Sequence, residues 1–215
     1  SVSIQVLFTK SAALMVLVVT APLSAEEPAP GALQLKTIDD SRVGWAFPDS
    51  SEAVDIDNDG DMEVLTSMQN RAGHPQILLY QRMDDGRWDR TTLGTVTRHK
   101  EEIEWIEVGR PFKSPPRLCI AASVQHKKDG LVVMRLRAAD LDPFDAANWR
   151  QGVAKGYAGQ GLAFHDLTGD GAEELIYATQ AGQQLGVLEA KVGADPMTKA
   201  GWRDHVIDAK NGRAW

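Results

Sequence analysis

Five carboxylates stand within the ten residues DIDNDGDMEV at 55–64: Asp55, Asp57, Asp59, Asp61 and Glu63. Like charges this close repel one another, so the stretch calls for a neutralising cation. Alternating acids with glycine at the sixth position suit Ca²⁺, which takes about six to eight oxygens and tolerates irregular geometry. Positions one, three and five turn their side chains inward, and Gly60 permits the sharp bend. Position seven, Asp61, would add a backbone carbonyl, and Glu63 at position nine closes the shell from the start of the next strand. Mg²⁺ suits the pattern less well because it keeps water and demands octahedral geometry. Zn²⁺ prefers His or Cys, and neither lies inside the run.

The pattern recurs. DLTGDGAEELIYA at 166–178 aligns with DIDNDGDMEVLTS at 55–67, the two starts lying 111 residues apart. The copy offers Asp166, Thr168, Asp170, Ala172 (through its carbonyl) and Glu174, with Gly171 at the bend and one acid fewer, because Thr168 stands at position three. An EF-hand shares this opening but requires a Glu at position twelve and flanking helices. Position twelve here is Thr66 or Tyr177, and the exits EVLTSM and ELIYAT are apolar and rich in strand formers. Each loop therefore leads into a strand.

A separation of 111 residues predicts two units of about 55, with a third copy between them. Ile106–Ser123, IEVGRPFKSPPRLCIAAS, fills that place as an apolar run, a polar loop and a strand. Its loop has lost the acids and gained Pro and Lys, so it is not expected to bind a cation. Trp88, Trp149 and Trp202 close the units at spacings of 61 and 53. They are expected to pack between neighbouring units. TIDDSRVGW at 37–45 resembles VIDAKNGRAW at 206–215, which places the start of a fourth unit at the chain end. Repeats of this length built from short strands predict propeller blades, roughly 37–93, 94–153 and 154–206, with the next starting at 207–215.

Composition narrows the function. The 215 residues carry a formal charge of −7, a poor match to the phosphates of nucleic acid. Residues 1–25 place Lys10 before an apolar run, then Leu23-Ser24-Ala25 at a cleavage-like site, the layout of a secretory signal peptide. Residues 26–36 read as a linker. No later segment is apolar enough to span a membrane, so a secreted or periplasmic location is expected. The one cysteine, Cys119, rules out an internal disulfide and lies in an apolar run as an inert, buried thiol.

The loop D-x-D-x-D-G-x-x-[DE]-[LIV] between strands, repeated every 50–60 residues, resembles the FG-GAP/VCBS repeat family across residues 37–215. That resemblance implies an all-β fold of calcium-loop propeller blades, here about three blades and the start of a fourth, an incomplete propeller whose further blades lie elsewhere. It implies one strong structural Ca²⁺ site at Asp55, Asp57, Asp59, Asp61 and Glu63. A weaker one is implied at Asp166, Thr168, Asp170, Ala172 and Glu174. Family members commonly serve in adhesion or are fused to other modules, so the expected function is recognition of a glycan or protein on the propeller face. Trp45, Phe47, His74, His99 and Trp215 are candidate ligand contacts. The alternative is a propeller-fold polysaccharide lyase or hydrolase. RHKEEIEW at 98–105 would then supply base and charge neutraliser from His99, Lys100, Glu102 and Glu104.

Overall fold

The computed structural model describes residues 15–17, 35–39, 50–70, 72–96, 102–113, 117–124, 130–156, 161–179 and 184–208. The described chain is all-β, with fourteen strands and no α-helix among the described residues. β1 (Met15–Leu17) pairs antiparallel with β2 (Leu35–Thr37). Met15–Leu17 is the part of the expected leader that is described. The remaining strands form three four-stranded antiparallel sheets, each ordered as the chain runs. The first holds β3 (Ser51–Val54), β4 (Glu63–Gln69), β5 (Pro75–Arg82) and β6 (Trp88–Thr95). The second holds β7 (Ile103–Gly109), β8 (Cys119–Val124), β9 (Leu131–Leu136) and β10 (Trp149–Lys155). The third holds β11 (Leu162–His165), β12 (Glu174–Thr179), β13 (Gln184–Ala190) and β14 (Trp202–Asp208). The unit ends expected from sequence at 93, 153 and 206 each fall inside a fourth strand.

Period-two alternation explains how the sheets stack. On β8 and β9, Ile120, Ala122, Val124, Val132, Met134 and Leu136 join a core with Leu65, Ile77, Leu79 and Leu93 of the first sheet. The intervening Cys119, Ala121, Leu131 and Val133 join a second core with Leu175, Tyr177 and Leu188 of the third. The middle sheet is thus apolar on both sides, which is why CIAASV and LVVMRL read as nearly unbroken apolar runs. Each fully buried Leu or Ile contributes about 1.5–3 kcal/mol. Burial also pushes the Cys119 thiol up to about 12, so Cys119 is a packing residue.

The three tryptophans open the fourth strands. Trp149 and Trp202 sit in the two shared cores, each the last residue of D-P-x-x-x-x-x-W. In each copy Asp accepts from the N–H two residues on, Asp142 from Phe144 at 2.8 Å and Asp195 from Met197 at 3.1 Å. A 3₁₀ turn follows (Ala146–Asn148, Lys199–Gly201). The indole N–H then donates back to the proline carbonyl, Pro143 at 2.9 Å and Pro196 at 2.8 Å. Trp88 differs. Its hairpin closes directly, Met83 N–H to Arg87 O at 2.8 Å, leaving no room for that turn. Trp88 is half-buried against Val64, Leu78 and Tyr80 on the far side of the first sheet.

Two residues beyond each tryptophan, a polar side chain reaches back to an earlier part of the chain. Arg90 Nη1 meets Asp39 Oδ2 at 2.7 Å, Gln151 donates to the Val96 carbonyl, and Asp204 pairs with Lys155. Tyrosine hydroxyls support two of these ties, Tyr80 donating to Asp39 at 2.9 Å and Tyr177 to Asp204 at 2.6 Å. Lys155 also lies 4.6 Å over the Tyr177 ring.

At Gly152 the second and third sheets meet backbone to backbone, with Val153 N–H donating to Met197 O at 3.3 Å. A Cβ at Gly152 would overlap the Met197 main chain, whereas one at Gly94 would meet only the end of Met134 at 3.4 Å. Gly152→Ala is therefore expected to lower unfolding free energy by about 1–3 kcal/mol, measured by urea denaturation. Gly94→Ala should change it by less than about 1 kcal/mol. Equal effects would show that close approach at Gly152 is not what fixes this junction.

Candidate functional site

The two acidic loops share one backbone design. Each joins the first strand of a sheet to the second, β3 to β4 and β11 to β12. The position-nine glutamate opens the second strand and is buried, Glu63 at 1% exposed and Glu174 at 4%. Its Oε2 turns back onto the N–H of position two, Ile56 at 3.0 Å and Leu167 at 2.9 Å. The first aspartate accepts from the position-six glycine, Asp55 from Gly60 at 3.2 Å and Asp166 from Gly171 at 2.9 Å. The fifth accepts from position seven, Asp59 from Asp61 at 2.8 Å and Asp170 from Ala172 at 2.9 Å. Positions four and six are both left-handed: Asn58 at φ 63° and Gly60 at 95°, Gly169 at 73° and Gly171 at 85°. The position-four requirement is not evident from the acid pattern; its sequence signal is the asparagine or glycine there.

Their electrostatics differ. In the first loop, Asp55, Asp57 and Glu63 bring carboxylate oxygens within 4.8 Å of one another. Asp55 Oδ1 is buried without a hydrogen-bond donor. Burial raises the acid of Glu63, and repulsion from Asp57, Asp59 and Asp55 adds to it against the Ile56 N–H. Asp57 is likewise raised, by burial and by Asp59 and Asp55. Asp59 and Asp61 are exposed beside this trio. An orphaned oxygen among crowded carboxylates fits a hard cation, which would take oxygen ligands here and neutralise the repulsion.

The second loop meets its needs internally. Asp166 Oδ1 accepts from Gly169 at 2.8 Å and Asp170 at 3.1 Å, in addition to the Gly171 bond on Oδ2. These donors, Gly171 foremost, lower its acid. Asp170 Oδ2 is ion-paired with Lys113, and that partner chiefly holds the Asp170 acid below its usual range. Thr168 is exposed, and Ala172 is buried. Among the described residues, the converging trio lies in the first loop and not in the second.

Lys113 and Arg110 come from the middle connection, where the sequence has lost acids and gained Pro and Lys. Arg110 extends Nη2 to Asn58 Oδ1 of the first loop at 2.9 Å, while its backbone N–H and C=O bond Glu173 of the second. Of the proposed ligand contacts, Trp45, Phe47, His99 and Trp215 lie outside the described residues, as does Lys100. His74 is half-buried in the β4–β5 turn, its N–H on Asn70 Oδ1 at 3.0 Å. Glu102 is exposed and Glu104 half-buried at the start of β7. Compared with known proteins, the chain matches no family model and no curated sequence.

Sequence reasoning missed a second pair of acids. Glu52 and Glu107 occupy equivalent places on β3 and β7, two residues before Val54 and Gly109, which pair with the first residues of β4 and β8. Glu52 Oε2 is buried without a donor. Burial, then repulsion from Glu107, raises the Glu52 acid to about 8 against the Val108 N–H. Burial raises Glu107 too, opposed by the Trp105 indole, which donates at 2.9 Å.

The folded chain therefore keeps a proton on Glu52 that the unfolded chain releases above its ordinary value. The associated stability is complete below about pH 4.5 and is lost as pH rises through about 8. Urea midpoints are expected to fall from about pH 5 to about pH 9, and Glu52→Gln should flatten that fall and be the more stable protein at the alkaline end. The same slope in both proteins would remove Glu52 as its source.

Proposed function

We propose that the chain is a calcium-pinned repeat module of β-propeller type, exported from the cell and serving to recognise a glycan or protein. The convergence of Asp55, Asp57 and Glu63, together with an unsatisfied oxygen on Asp55, supports this reading most strongly. In it, Ca²⁺ supplies charge neutralisation, and the carboxylates tie the end of β3 to the first residue of β4. Asp59 and Asp61 stand at the rim, where they add negative potential. The three repeated sheets, stacked through shared cores, support the propeller assignment. Faces and connections are the parts left to contact a ligand, since the sheet interiors are committed to packing.

Extracellular calcium modules bind with Kd of about 10⁻⁴–10⁻³ M. At about ten times Kd, one site adds about 1.4 kcal/mol to stability. Chelation with EGTA should lower the melting temperature, and Asp57→Ala with Asp59→Ala should abolish that difference. An identical wild-type melt with and without chelator would sink the calcium assignment.

Lys113 distinguishes the loops further. Its ammonium already holds Asp170 at position five, so in this reading the second loop takes up no calcium until that cation is removed. Calorimetric titration of wild type should count about one Ca²⁺ per chain, rising to about two in Lys113→Gln, while Lys113→Arg stays near one. A count of about two in wild type would show that Lys113 does not close the loop.

A further inference from the structure

A cavity of about 360 Å³ lies where the β7–β8 connection and β9 of the second sheet face the β13–β14 hairpin of the third. Its lining is both charged and apolar, with Phe112 and Pro196 beside Arg117 and Arg135. The carboxylates around it are already engaged: Asp170 by Lys113, Glu174 by the Leu167 N–H, and Glu189 by Arg203 at 2.9 Å and His205 at 3.1 Å. Lys191 is engaged too, donating to Ala200 O at 2.9 Å.

The two arginines are not so served. The Nε atoms of Arg117 and Arg135 are buried with no acceptor. Arg135 lies over Phe112, its Cζ 5.6 Å from the ring centroid. Burial, then Arg117, disfavours its charge, with Arg150 opposite it on β10 adding to this and Asp195 opposing. Asp195 is itself 3.6 Å from Arg150. Two like charges sharing a cavity repel one another, and an anion between them would offset that repulsion. Guanidinium edges match the paired oxygens of carboxylate or sulfate, and such bonds are the strong ones.

We propose that this cavity is an anion-binding site in which Arg117 and Arg135 grip a carboxylate or sulfate group of a small ligand whose less polar body rests on Phe112 and Pro196. The site uses no residue of the first loop, while Asp170, Ala172 and Glu174 of the second form part of its wall. An acidic sugar combines the two required features, an oxyanion and a ring with an apolar face.

Arginine Nε–H resonances report on the site directly. In ¹H–¹⁵N spectra of the whole chain, sodium sulfate and sodium glucuronate are titrated at ionic strength held constant with sodium chloride, with glucose as the uncharged control. The Arg117 and Arg135 resonances are expected to shift and saturate with sulfate or glucuronate and to stay still with glucose. Tighter binding of glucuronate would identify a sugar acid as the source of the oxyanion, and tighter binding of sulfate an inorganic or sulfated one. Arg135→Gln should weaken binding by about tenfold or more, read on Arg117. Arg135→Lys keeps the charge, loses the fork and should fall between. Shifts that grow linearly without saturating, that chloride alone reproduces, or that persist on Arg117 with undiminished affinity in Arg135→Gln would overturn the proposal.

Discussion

Apart from Ser123 and Arg135, side chains of Cys119–Val124 and Leu131–Leu136 alternate between two apolar cores, so most of the centre of the second sheet is covered on both faces. Its neighbours are fixed by that fact, because burying both faces requires a sheet on each side. Most polar chemistry is displaced to what surrounds the two central strands, namely β7, β10 and the connections, with Arg135 near the end of β9 beside them. The β7–β8 connection then lies between the two acidic loops. Arg110 meets one and Lys113 the other, at sequence distances no local pattern would suggest. Loss of acids from the middle repeat and the appearance of Pro and Lys there are one change seen twice. A third acidic loop beside the other two would have concentrated negative charge; a basic one disperses it.

The acidic loops show how one backbone can carry opposite electrostatics. Left-handed residues at positions four and six, and a buried glutamate reaching back to position two, set the shape in both. Shape alone does not create a demand for a cation. In the first loop, acids are raised by burial and by one another, and Asp55 keeps an unsatisfied oxygen. In the second, backbone N–H groups occupy Asp166 and an ammonium occupies Asp170, so both are held as stable anions. Thr168 stands at position three in place of an aspartate such as Asp57, which removes a charge.

Local rules made much of this legible in sequence. Apolar, strand-forming exits marked β4 and β12, and an apolar run marked β8; glycine marked the bends; an Asp-Pro pair recurs seven residues before Trp149 and Trp202. What those tryptophans do was also anticipated, because a large apolar ring at a constant place in a repeat has to pack between units. Trp88 departs because its hairpin is too short for the same turn, a difference of loop length rather than residue type. Lys113 on Asp170, Glu52 near Glu107, and Arg117 beside Arg135 were not legible. The first two join residues of different sheets through stacking, whereas Arg117 and Arg135 meet through the β8–β9 pairing, in which Cys119 lies opposite Arg135; neither strand period nor turn chemistry encodes which distant side chain arrives. The first two pairs follow from the stacking of the sheets, which sequence gave only as a repeat length.

The polar ties two residues beyond the tryptophans carry the same lesson. One position holds Arg90, Gln151 and Asp204, and the partner changes with it to an aspartate, a carbonyl and a lysine. Sign and even charge are free to vary; complementarity is not. Exposed ion pairs contribute only about 0–1 kcal/mol, so their strength cannot explain the persistence of a contact at this place. Tyr80 and Tyr177 supply the better reason: each is a buried ring whose hydroxyl must find an acceptor, and in each case the acceptor is the carboxylate of the tie. The middle tie has no such tyrosine, and there an amide on a backbone carbonyl suffices. The ties therefore serve mainly to satisfy and align polar groups at the edges of the apolar cores, which hold the sheets together.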